Sequence, residues 1–210
     1  MENFKLMNVF RKIIPPQLKG SVFDLLTSDV FGAVLKKSEP ITSKGCSFFV
    51  DHPRISSSEA ASIFWGLRER AEVELVKNLL PVSPNLTIVE FGGSVGVVAS
   101  HAVKRNPKGL VVIEADRELL DLCRINVNLN NVEDVDVVFL NFAVDYSDAE
   151  VTRFIPGATT TSGQLERTDQ CRGLPMETTT LSQILDSQHI EEYVLISEVA
   201  GAAVDVWFTT

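Results

Sequence analysis

Cysteine is scarce in this chain: its 210 residues hold three, Cys46, Cys123 and Cys171, an odd number with no C-x-x-C spacing. That excludes a disulfide framework and offers no zinc-ligand pattern, so a reducing compartment, the cytoplasm, is expected. Long apolar runs are also missing, since no stretch approaches the roughly 18 residues of a membrane span. The start, MENFKLMNVFRKIIPPQ, mixes apolar with basic residues and reaches Pro15 and Pro16 without the unbroken apolar core of a signal sequence. A short helix packed on the domain is expected there, and no integral membrane segment anywhere. Basic residues are outnumbered, 19 Lys and Arg against 28 Asp and Glu for a net charge of −9. An acidic surface repels phosphate backbones, so a nucleic-acid partner is excluded. What remains, 45% hydrophobic and 22% charged residues with no internal repeat, is an ordinary globular composition.

Residues 1–55 carry mixed signals, with Pro15, Pro16, Gly20, Gly32 and Gly45 and one brief strand, SFFV (Ser47–Val50), and are read as an N-terminal extension. The main domain is expected over 56–210. Ser56 with Glu59 makes a capping box, and Ile63, Leu67, Ala71, Leu75 and Leu79 recur every four residues, so one helix is expected from about Glu59 to Leu80. Four apolar runs follow, Leu86–Phe91, Leu110–Glu114, Val135–Leu140 and Tyr193–Glu198. Such runs suit strands buried on both faces. Helices between them, over Val95–Arg105, Arg117–Asn130 behind Asp116, and Leu181–Ser187 behind Thr180, make an α/β fold with a parallel sheet flanked by helices. The Gly-, Pro- and Thr-rich segment from Tyr146 to Thr180 is too long for a plain connection. Its place at the sheet's carboxyl edge suits a lid or substrate loop as well as it suits a mere surface excursion.

The stretch EFGGSVG, Glu90 to Gly96, closes a strand and opens a helix, where a backbone turns tightly and can approach a ligand. A dinucleotide fingerprint ending at Gly96 would need glycine where Phe91 stands, and no Tyr-x-x-x-Lys pair occurs, so a nicotinamide-dependent oxidoreductase is disfavoured. Acid-x-Gly-x-small-x-Gly fits instead, as Glu90, Gly92, Ser94 and Gly96. This pattern resembles that of S-adenosylmethionine-dependent methyltransferases. The resemblance implies a Rossmann-like sheet and makes Glu90, Gly92, Gly93, Ser94 and Gly96 cofactor-binding residues. Glu114, 24 positions beyond Glu90 at the end of the next strand, would accept the two ribose hydroxyls. The turn around Asn141, Phe142 and Ala143 would border the adenine.

From about Phe64 onward the chain resembles the FkbM family of methyltransferases. FWGLRERAEVELVKNLLP is similar to the helix before that family's glycine motif, though Arg68 stands where a tyrosine is frequent. IVEFGGSVGVVAS is similar to the glycine motif itself, and IEADRELLDLCRINVNLNNV, with Asn126, Asn128, Asn130 and Asn131, to the second strand and its helix. TTTLSQIL followed by YVLISEVAGAAVDVWF resembles the fourth-strand region. The resemblance implies S-adenosyl-L-methionine as cofactor and transfer of its methyl group to a hydroxyl of a sugar, lipid or other small molecule. A base on the fourth strand would take the hydroxyl proton, and no metal-ligating residue is picked out.

Two departures accompany the resemblance. Where the family pattern carries an aspartate and two glutamates, this chain has Glu198, Ala200, Gly201 and Ala203, so Glu198 alone is the candidate acid–base residue. A catalytically degenerate cofactor-binding or interaction module is the alternative. The family's sheet has further strands beyond the point where this sequence ends, at Thr210. A fragment, a sheet completed by a second copy as a homo-oligomer, and a domain truncated after its fourth strand are all open. His101, Cys123, Trp65 and Trp207 are read as packing residues, and His52 and His189 as loop residues.

Overall fold

The computed structural model describes residues 24, 27–37, 40–79, 85–105, 107–147, 152–157, 159–160, 162–166 and 173–199. The expected start helix, Cys171, Ala200, Gly201, Ala203 and Trp207 lie outside these. The chain divides into two compact units, Met1–Glu74 and Leu75–Thr210.

In the first unit, α1 (Asp29–Lys36) and α2 (Ser57–Phe64) pack closely. Gly32 makes this approach achievable, because a Cβ there would fall 1.7 Å from the Ser57 carbonyl oxygen. Phe31 stacks on Trp65 at 5.7 Å between ring centroids and meets Phe64 edge-on at 5.6 Å. The expected strand near Ser47 is half of a hairpin, β1 (Ile41–Ser43) with β2 (Cys46–Phe48). Lys44 and Gly45 both take positive φ at its two-residue turn, which matches the twist of paired strands.

Ser56 caps α2 with Glu59 as foreseen. The single helix expected over Glu59–Leu80, however, is two, α2 and α3 (Arg70–Leu79). Gly66 adopts φ +63, its N–H donates to the Ile63 carbonyl, and the Leu67 N–H donates to the Ser62 carbonyl, both at 2.9 Å. This pair of bonds closes a helix around a left-handed glycine. Beyond the break the helical phase shifts: Val73 and Val76 are buried, while Leu75 and Leu79 of the expected apolar stripe are exposed.

The second unit is α/β and Rossmann-like. Four parallel strands, β3 (Thr87–Phe91), β4 (Gly109–Ile113), β5 (Val137–Leu140) and β11 (Tyr193–Ser197), lie in the order β11-β3-β4-β5. Helices α4 (Val97–Val103) and α5 (Arg117–Asn130) connect β3 to β4 to β5. On the other face, Val89, Phe91, Val111 and Ile113 form an apolar cluster with Val144 and with Leu181 and Ile184 of α6 (Leu181–Ser187). Near-continuous Val, Ile and Leu in β3 and β4 is what a sheet covered on both faces requires. Asp116 caps α5 through Oδ1, at 3.1 Å from the Glu118 N–H, and Thr180 caps α6 with Gln183 in a capping box. Both helices therefore keep their expected limits.

Between β5 and α6, β6 (Ala143–Val144) pairs in parallel with β10 (Thr178–Thr179). The intervening chain forms a three-stranded antiparallel sheet, β8 (Gln164–Glu166), β7 (Arg153–Ile155) and β9 (Leu174–Pro175), in that order. Asp145, buried after β6, anchors its entry by accepting from the Thr152 hydroxyl at 2.8 Å and the Ser147 N–H at 3.0 Å. Among the described residues no helix is long and apolar enough to cross a membrane.

Candidate functional site

The strand order places the site. From β3 the chain steps outward through β4 to β5, and β11 then returns to the other side of β3. In an open α/β sheet, ligands enter the crevice at the carboxyl ends where the strand order reverses. Here that point lies between β3 and β11, and the turn Gly92–Gly96 and Glu198 meet at it. The Glu198 N–H donates to the Phe91 carbonyl at 2.9 Å, carrying the β11–β3 pairing one residue past the strand. The Glu198 side chain is exposed.

Each glycine of the turn answers a contact. Gly92, at φ +85, passes so close to β11 that a Cβ would lie 2.7 Å from the Glu198 carbonyl oxygen. A Cβ on Gly93 would strike Val112 Cγ1 at 2.3 Å. Gly96, at φ +80 and opening α4, faces α5, with Cys123 Cα and carbonyl oxygen each 3.1 Å from where a Cβ would stand. Packing of strand and helices around the turn therefore accounts for all three glycines. Cys123 and His101 are buried and Trp65 is packed, as expected, while His189 lies in a turn at φ +53.

Glu114 supplies the chemistry that packing does not require. It is buried, 9% exposed, one residue beyond β4. Its Oε2 accepts the Ser94 N–H at 2.8 Å and its Oε1 the Asp116 N–H at 2.9 Å. The carboxylate, with about four acceptor positions on its two oxygens, thus joins the glycine turn to the β4–α5 loop, and the Ala115 N–H bonds it as well. Burial pushes its pKa above the ordinary 4.5, against the backbone N–H of Asp116 and that of Ser94, which pull it down; the nearby Asp116 charge adds to the rise. Ser94 holds φ +45, a left-handed conformation unusual for a non-glycine residue, and its hydroxyl donates to the Thr160 carbonyl at 3.2 Å.

The structure thus brings together Gly92, Gly93, Ser94, Gly96, Glu114 and the Glu198 backbone. Glu90 is buried in β3, two residues before the turn, paired in register with Val112 and Ile196. Ala143 is buried in β6, two residues beyond Asn141, and its N–H donates to the Glu177 carbonyl at 3.0 Å. Two contributors, Asn126 and Thr160, are not among the site residues expected from the sequence, and Asn141 is expected only as part of the turn bordering the adenine. Asn126, fully buried on α5, donates to the Val95 carbonyl at 2.9 Å and fastens the turn from below. Asn141 donates to the Glu114 and Ala115 carbonyls, and Thr160 reaches the turn from the insertion. For Asn126 a signal exists in the sequence: an amide inside the apolar stripe Leu119, Leu122, Cys123 must find a buried partner. Among the described residues no group of three or more His, Cys, Asp or Glu could hold a metal ion.

No protein-family model and no curated protein matches the chain. Among solved structures it is similar to the crystal structure of the SAM-dependent methyltransferase from Agrobacterium tumefaciens, at 16% identity and a TM-score of 0.39. That alignment takes in 49% of this chain, and the chain spans about a third, 31%, of the other's length.

Proposed function

We propose that the chain is an S-adenosylmethionine-dependent O-methyltransferase of FkbM type, moving a methyl group to a hydroxyl of a sugar, lipid-like or other small-molecule acceptor. The observation that carries this reading is Glu114: a buried carboxylate bonded to the N–H of a glycine-rich turn at the reversal point of a parallel sheet. Its two oxygens suit a pair of vicinal hydroxyls such as a ribose presents. When bound, S-adenosylmethionine supplies a methyl group already activated on a sulfonium. Glu90, Gly92, Gly93, Ser94, Gly96 and Glu114 shape the cofactor site, with Ala143 at its adenine side. Glu198, exposed at the end of β11, is the group that takes the proton from the acceptor hydroxyl.

The alanines at 200 and 203, where the family pattern has acids, favour a second reading, a catalytically degenerate S-adenosylmethionine-binding module. Methyl-labelled S-adenosylmethionine offered with pooled hydroxylated sugars, lipids and polyketides separates the two. An O-methyltransferase yields labelled product and S-adenosylhomocysteine, and Glu198→Gln slows it about a hundredfold, as expected for loss of a general base. Cofactor binding with no transfer to any pool assigns the module.

A further inference from the structure

Asn141 follows β5 directly, and its side-chain amide reaches back across the sheet's carboxyl edge to the neighbouring strand. Both hydrogens of Nδ2 are engaged, one by the Glu114 carbonyl at 2.8 Å and one by the Ala115 carbonyl at 2.9 Å. The amide's orientation is fixed by chemistry, since only its NH2 end can face two carbonyl oxygens. The Glu114 N–H donates to the Leu140 carbonyl at 3.1 Å. The backbone of Glu114 is therefore clamped on both sides by residues 140 and 141, while its carboxylate is held by the N–H groups of Ser94 and Asp116.

We propose that Asn141 is the positioning residue that aims the Glu114 carboxylate at the ribose hydroxyls of the bound nucleotide. The inference rests on the cofactor reading above and deepens it. Without the amide, the Glu114 and Ala115 carbonyls lose this donor and the 114–115 peptide loses a constraint on its orientation, which lets the carboxylate shift from its aim at the turn. Asn141 thus acts through Glu114 and not by touching the ligand.

Asn141→Asp tests this closely. The shape is kept, but an oxygen replaces the NH2 group and repels both carbonyls. Titrations of S-adenosylhomocysteine, adenosine and 2′,3′-dideoxyadenosine are made on the native chain and the variant, with thermal unfolding alongside. The native chain is expected to prefer adenosine over its dideoxy analogue by about tenfold, the worth of hydroxyl bonds to a charged acceptor. In Asn141→Asp that ratio should fall toward one. A merely structural role would weaken both nucleosides alike and leave the ratio untouched, and that result overturns the inference while the cofactor reading stands. Absence of S-adenosylhomocysteine binding to the folded native chain overturns the cofactor reading and the inference with it. Should Asn141→Asp fail to fold, Asn141→Ser, which keeps one donor, makes the same comparison: a reduced ratio supports the clamp and a native ratio refutes it.

Discussion

The hydroxyl of Ser94, at the crest of the β3–α4 turn, donates to the carbonyl of Thr160, 66 residues later, over 3.2 Å in a buried setting. The insertion between β6 and β10 is thereby attached to the glycine turn at the sheet's carboxyl edge. Ser94→Ala removes this bond and leaves a buried carbonyl without that donor, which costs about 1 kcal/mol. Hydrogen exchange should show the amides of 162–166 opening faster, while those of α5 keep their native protection. Unchanged exchange throughout would mean that the insertion is held without Ser94.

Glu114 sets a pH dependence with a definite sign. Its folded pKa lies above the ordinary 4.5, so between the two values the folded state holds a proton that the unfolded chain has released. Stability from this group is complete below 4.5 and is lost as pH rises through the folded value. Glu114→Gln carries no titrating proton. Denaturant unfolding from pH 4 upward should therefore show the native chain losing ground relative to Glu114→Gln, and parallel curves would contradict the assignment.

Two glycines at similar φ should respond differently to alanine. Gly45, at φ +91, has nothing within 4 Å of a new Cβ, so Gly45→Ala costs only the left-handed strain, about 1 kcal/mol. Gly96, at φ +80, faces the α5 backbone at 3.1 Å and cannot relax by turning a side chain. Gly96→Ala should cost about 3 kcal/mol or more in urea unfolding, strain and overpacking together.

Asn126 supports the turn without any ligand. Asn126→Leu fits the apolar stripe of α5 yet strands the Val95 carbonyl in the core, and a loss of about 2 kcal/mol is expected. Equal stability in chemical denaturation would show that water or a shifted backbone replaces the amide.

Elements whose ends are fixed by local chemistry are legible in this sequence. Asp116 and the Thr180–Gln183 pair fix the first residues of α5 and α6, because a cap acts within one turn of its own helix. The β3 and β4 runs declare themselves through continuous burial. The break at Gly66 is hidden, since the four-residue recurrence from Ile63 to Leu79 continues in sequence across a turn that changes the helical phase. Pairings of two or three residues, such as β6 with β10, depend on partners some 35 positions apart and leave no periodic trace. At the site, the glycine turn between strand and helix and the strand-end position of Glu114 are readable in the sequence. The roles of Asn141 and Thr160 are not, because an amide or carbonyl acquires its role from whichever group the fold sets opposite.

The central claim, that the Glu114 site takes an S-adenosyl nucleotide, is tested most directly by calorimetric titration of S-adenosylhomocysteine and of NAD into the native chain and into Glu114→Gln. Micromolar binding of S-adenosylhomocysteine, none of NAD, and an affinity loss of about tenfold or more in a folded Glu114→Gln are predicted, the worth of hydrogen bonds to a carboxylate. A folded native chain that binds no S-adenosylhomocysteine, or binds it equally well without the Glu114 carboxylate, would contradict the account.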